Sequence, residues 1–238
     1  MTDPDDAPMT LRLDHISTRA AALTDASKFV MRYGPAVQRY LAAILRDADA
    51  ADEAWQELVT NLLRRGGPGT WPGQGRFRDY LRTAARNAAM SHLRAKTRRP
   101  AATLPDDVAD PAERSLENDW QKLLLDKVWR ELDAAERRGS GNFVHTALRV
   151  YTESPELESP EQAAIVSERI GRPVTAEAFR QQVRRGKKLM AERILTEVAG
   201  TIAHATAADV EAELTELGLM QFVRDYLPAD WRTTFFAD

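Results

Sequence analysis

The chain has 238 residues, a formal net charge of -3, 43% apolar residues and no cysteine. That length holds one large domain or two small ones, and the missing cysteines exclude a disulfide framework and thiolate metal sites. No apolar run is long enough to span a bilayer, and the N-terminal MTDPDDAPMTLRLD lacks the basic-then-apolar order of a secretion signal, so a cytoplasmic protein is expected. Ala, Leu, Arg and Glu dominate, and apolar residues recur at helical spacing, which predicts an all-α chain.

After an N-terminal extension (1–19), Phe29, Val30, Tyr33, Val37, Tyr40, Leu41, Ile44 and Leu45 form one helical stripe, and Trp55, Leu58, Val59 and Leu62 form the next. GGPGTWPGQG (66–75) is too rich in Gly and Pro for regular structure and carries a lone Trp71. A third helix follows, with Phe77, Leu81, Ala84 and Ala88 as its predicted inner face. These elements make a first domain over 20–99.

Residues 100–115 contain three prolines and four acids and lack apolar periodicity, so they read as an acidic Pro-containing linker. Fully extended, such a piece reaches roughly 50 Å. A second helical domain spans 116–200, beginning with Leu116, Trp120, Leu124, Val128, Trp129 and Leu132 and continuing, after a polar break, with Phe143 to Tyr151. Ser159-Pro160-Glu161-Gln162 reads as an N-cap, a first-turn Pro and a capping-box partner, Gly171 suits the helix end, and Thr175 caps a new helix bearing Phe179, Val183, Gly186 and Met190 on one side. The remainder, 201–238, is an acidic amphipathic extension with Val210, Leu214 and Leu217 inward, Asp209, Glu211, Glu213 and Glu216 outward, and Trp231, Phe235 and Phe236 at its close.

Charge is distributed unevenly along this plan. From Arg76 to Arg99 there are eight basic residues, Arg76, Arg78, Arg82, Arg86, Arg94, Lys96, Arg98 and Arg99, against Asp79 alone. A surface this basic in an acidic chain fits a polyanion, since each Lys or Arg that neutralises a phosphate releases a condensed counterion. Arginines beside a loop with a Trp offer both backbone neutralisation and a stacking platform, the two needs of single-stranded DNA recognition. Thr175, Arg180, Gln181, Arg184, Arg185, Lys187 and Lys188 lie on or before a helix whose other side is apolar, the division that a helix-turn-helix reader of the major groove requires. Asp49, Asp52, Glu53, Gln56 and Glu57 crowd the second helix away from Trp55 and Leu58, where acids complement the helix dipole or dock a basic protein. A two-metal nuclease fails on inventory, because His15, His92, His145 and His204 are scattered and no second carboxylate cluster accompanies them. Catalytic residues, metals and cofactors are therefore not expected.

Together these residues resemble bacterial RNA polymerase sigma factors of the extracytoplasmic-function (ECF) class, as a long variant with a C-terminal extension. FVMRYGPAVQRYLAAILRDADAADEAWQELVTNLL (29–63) looks like that family's first conserved region, and FRDYLRTAARNAAMSHLRAKTRR (77–99) looks like its promoter-reading segment. The resemblance implies a transcription initiation factor without enzymatic activity, in which Asp52, Glu53, Gln56 and Glu57 hold the clamp helices of core RNA polymerase. It implies that Trp71, Arg76, Arg78, Arg82, Arg86, Asn87, Arg94, Lys96, Arg98 and Arg99 serve the melted minus-10 element of promoter DNA, and that 116–200 reads the minus-35 duplex. It further implies a monomer on polymerase, away from the membrane, regulated by an anti-sigma factor or a Ser/Thr kinase.

The chain departs from the family pattern at Ala50 and Ala51, where the acidic motif usually begins, at Arg172 and Pro173 in the turn before the recognition helix, and in the added acidic tail. The alternative is a helix-turn-helix regulator that binds duplex DNA without polymerase. Two regulatory expectations follow: phosphorylation at Thr60, which would add charge to the acidic face, and an acidic tail folded back on the basic recognition helix.

Overall fold

The computed structural model describes residues 26–65, 75–97, 106–139, 142–227 and 229–234. Among them are α-helices and a 3₁₀ turn with one isolated β-bridge and no strand, in agreement with the all-α expectation. The described residues divide into two compact units, one drawn from 1–103, 200–209 and 229–238, the other from 104–199 and 210–228.

In the first unit, α1 (Ala26–Leu45), α2 (Ala48–Arg64) and α3 (Phe77–Thr97) pack against one another in all three pairings. The turn between α1 and α2 is fixed locally. Arg46 takes a left-handed φ of 54°, and the Asp47 carboxylate accepts from the Asp49 and Ala50 amides at 3.1 and 3.2 Å, capping two of the donors that a helix start leaves over. Phe29, Tyr33, Trp55 and Phe77 meet ring to ring across the three helices, with centroids 5.5 to 6.3 Å apart, and the predicted residues of α1 and α2 are buried except Val30, Leu45 and Val59, which are half-buried.

The third stripe is rotated from its predicted position. Phe77, Leu81, Ala85 and Ala89 are buried, whereas Ala84 and Ala88 are half-buried. Residues 201–203, expected to begin a separate extension, pair with the start of α3: Phe77 N donates to Thr201 O at 2.8 Å, Ala203 N donates to Gly75 O at 3.0 Å, and Arg76 bridges Ile202.

In the second unit, α4 (Asp106–Arg138) packs on α5 (Val144–Glu153) and α7 (Ala176–Ala199), and α6 (Ser159–Ile170) packs on α5 and α7. The linker expectation is corrected here, because α4 is helical from Asp106 and runs through Pro111, and Ala112 and Leu116 are already buried. Residues 100–105, with their own prolines, lie outside the described residues. The cap of α6 is one residue earlier than expected: Glu158 is the N-cap and exchanges hydrogen bonds with Glu161 as a capping box, in place of the Ser159–Gln162 pair. Gly171, at φ 69°, ends α6 in the left-handed conformation that glycine adopts without strain, and Thr175 Oγ1 accepts from Ala178 N at 3.1 Å at the start of α7.

Inside this unit Lys127 of α4 is ion-paired with the buried Glu197 of α7 and lies 3.5 Å from Glu131. At Gly186 a Cβ would sit 3.1 Å from Val144 Cγ1 and 3.4 Å from Leu148 Cβ, so glycine lets α5 and α7 approach closely. The extension adds α8 (Ala207–Glu216), α9 (Met220–Val223) and the 3₁₀ turn Arg224–Tyr226, and α9 and that turn pack on α7. Val210, Leu214 and Leu217 face inward as expected, but Glu213 does not face out: it is 1% exposed. A short α10 (Trp231–Thr234) belongs to the first unit and buries Trp231; Phe235 and Phe236 lie outside the described residues.

Candidate nucleic-acid interface

On α2 the apolar positions 51, 54, 55, 58 and 62 turn inward, which leaves Asp52, Glu53, Gln56, Glu57 and Thr60 exposed together. The helix is held to its neighbours at the edge of this face. Gln38 Nε2 of α1 donates to Asp52 Oδ1 at 3.0 Å, and His92 Nδ1 of α3 lies 4.0 Å from Glu53 Oε2. Neither Gln38 nor His92 was singled out in the sequence. Their signal is weak, because a polar residue at the border of an apolar stripe is common on any surface helix.

The arginines of α3 do not form one row. A helix turns through about 100° per residue, so steps of four advance by about 40° and carry Arg78, Arg82 and Arg86 progressively around the axis. Arg78 is 3% exposed and is engaged within the protein, which corrects the expectation that it faces a DNA strand. Arg82 is half-buried, with its Nη2 2.9 Å from Asp79 Oδ1. Arg86, Asn87 and Arg94 are exposed.

Arg76 is half-buried beside its bridge to Ile202, and its charge is among the influences holding the Asp209 carboxylate below the usual range, after the hydrogen bonds from the Thr206 hydroxyl and amide. Trp71, Arg98 and Arg99 lie outside the described residues, as does the side chain of Lys96.

In the second unit α6 and α7 are joined by residues 171–175, and Phe179, Val183 and Gly186 face inward, with Met190 half-buried. Thr175, Arg180, Gln181, Arg184, Arg185 and Lys188 are exposed. Arg180 is paired with Glu177 at 2.5 Å, one turn back on the same helix. Lys187 is the exception in this row. It is half-buried, donates to Tyr151 Oη at 2.9 Å, and lies 4.0 Å from the Tyr151 ring centroid and 5.5 Å from that of Tyr226. Burial lowers its pKa, but the hydroxyls of Tyr151 and Tyr226 outweigh that effect and hold it above the ordinary lysine value. Tyr151 and Tyr226 are contributors that the sequence reading missed, because both come from elements remote in sequence.

Among the described residues no group of His, Cys, Asp or Glu is placed to hold a metal ion, and no helix is long and apolar enough to cross a membrane. What the surfaces offer is charge: acid on α2, arginine on the outer side of α3, and Arg, Lys and Gln on α7. No curated protein and no solved structure matches the chain. Residues 29–99, which take in most of α1 and all of α2 and α3, match the Sigma-70 region 2 family, a domain with which sigma factors bind RNA polymerase and recognise promoters.

Proposed function

We propose that the chain is an alternative sigma factor of the ECF class that binds core RNA polymerase, melts promoter DNA and directs initiation in the cytoplasm, without catalytic activity of its own. The observation that carries this reading is the region 2 match over the residues that present an acidic face on α2 and exposed Arg86, Asn87 and Arg94 on α3. Asp52, Glu53, Gln56 and Glu57 dock on the clamp helices of the polymerase, and Arg82, Arg86, Asn87 and Arg94 hold the unpaired minus-10 strand. Extruding a base costs a few kcal/mol of stacking, which a basic groove and an aromatic platform offset, so melting becomes a binding event that needs no ATP.

In the same reading α6 and α7 are a helix-turn-helix whose Arg180, Gln181, Arg184, Arg185 and Lys188 read the minus-35 duplex. The separation of acid and arginine onto different helices supports two grips, one for protein and one for DNA. The test is to mix the purified protein with core polymerase and genomic DNA fragments and map transcript starts. Starts that share upstream elements are the expected result; starts without them, or charge reversal at Glu53 and Arg86 that leaves open-complex formation unchanged, would remove the reading.

A further inference from the structure

Arg180, Arg184 and Lys187 succeed one another along one side of α7, and the same side is where the C-terminal segment comes to rest. Leu219, Met220 and Val223 are buried and Gln121 Nε2 donates to Leu217 O at 2.9 Å, so the segment is anchored, and its 3₁₀ turn brings Tyr226 over Lys187. Tyr226 lines a cleft together with Tyr151, Ser159, Arg180, Arg184 and Lys187. Two of the basic residues proposed to meet DNA, Arg180 and Arg184, are thus walls of a cleft in which an aromatic side chain of the same chain already sits.

Duplex DNA and this turn make incompatible demands on α7. A helix with its side chains is about 10–12 Å across and fills a major groove about 12 Å wide. An aromatic ring laid against the DNA-facing edge adds a layer of about 3.5–4 Å, for which the groove has no space. The ammonium of Lys187, moreover, already has the Tyr151 hydroxyl and the Tyr226 ring as partners in place of a phosphate.

We propose that the turn carrying Tyr226 is a built-in competitor of duplex DNA for the recognition face of α7, so that the free chain binds duplex weakly until that turn is displaced. The inference rests on α7 being the duplex-reading helix. It replaces the expected acid-on-base contact with an aromatic one, supplied by Tyr226 after the acidic helix has passed.

The test uses the full chain and a fluorescein-labelled duplex pool of random sequence at low salt, with wild type, Tyr226→Ala, Arg184→Ala and the double variant. Tyr226→Ala should tighten binding on the order of tenfold, from the loss of the ring that covers Lys187. Arg184→Ala should weaken binding in both backgrounds. If Tyr226→Ala binds like wild type while Arg184→Ala weakens binding, the competitor is refuted and the reading of α7 stands; if Arg184→Ala has no effect in either background, the reading of α7 falls and the inference with it.

A second measurement separates competition from general loosening. With lysines reductively ¹³C-methylated and Lys187 assigned by Lys187→Arg, the Lys187 signal should titrate at lower pH in Tyr226→Phe than in wild type, and saturating duplex should shift the wild-type signal. An unchanged signal in both cases would overturn the proposal.

Discussion

Replacing Arg78 and Arg86 separately with alanine should produce opposite kinds of damage. Arg78 is 3% exposed, so its truncation opens space in the core of the first unit and leaves the groups that engage it without their partner. Changes of that kind cost about 3 kcal/mol, which for a unit of this size lowers the melting temperature by about 12–24 °C. Arg86 is exposed, and alanine there should change stability by less than about 1 kcal/mol.

Its effect belongs to binding. For a single strand each neutralised phosphate contributes about 0.7 to the slope of log affinity against log salt, so Arg86→Ala should flatten the slope by about that much. Between 50 and 200 mM salt one such contact alone weakens binding by about 2.6-fold, since fourfold salt is raised to the power of about 0.7. Thermal melts, and anisotropy of a labelled oligo-dT across a salt series, measure the two effects independently. The separation of core arginine from surface arginine would be refuted by a stable Arg78→Ala with a flattened slope, or by an Arg86→Ala that melts early and keeps the wild-type slope.

Three further outcomes follow from packing and charge. Gly186→Ala gains about 1 kcal/mol of helix propensity but forces a Cβ to 3.1 Å from Val144, so it should lower urea-melt stability by about 1 kcal/mol overall, and adding Val144→Ala should recover part of the loss; net stabilisation by the single change would show the contact to be slack. Lys127→Met takes the lysine partner from buried Glu197 and should cost about 3 kcal/mol, while Lys127→Met with Glu197→Leu should recover most of it, both read by denaturant titration. Burial pushes the Glu192 carboxyl up, against the opposing pull of Arg193 and Lys188; an acid whose folded pKa is raised is at ease below its unfolded pKa and penalised as pH rises through the folded one. Glu192→Gln should therefore raise the melting temperature at pH 7 and lose that advantage near pH 3, and an equal gain at both would contradict the burial.

The helices, most of their inner faces, the caps at Gly171 and Thr175, and the segregation of acid onto α2 and base onto α3 and α7 were legible from the order of residues alone. These are local or periodic properties: a cap needs neighbours within a turn, and an apolar stripe repeats at the spacing of the helix that buries it. The rotation of α3 was decided by tertiary packing, because Ala84, Ala85, Ala88 and Ala89 are equally small and only the neighbouring helices choose which pair is buried, and with it whether Arg78 or Arg86 meets solvent. Packing likewise extended α4 back to Asp106 past the expected linker, turned Glu213 inward, and brought Tyr151 and Tyr226 to Lys187 from segments 36 residues before it and 39 after it. Contacts across such distances leave no periodicity to read, since they depend on where folded elements come to rest rather than on the spacing within any one of them.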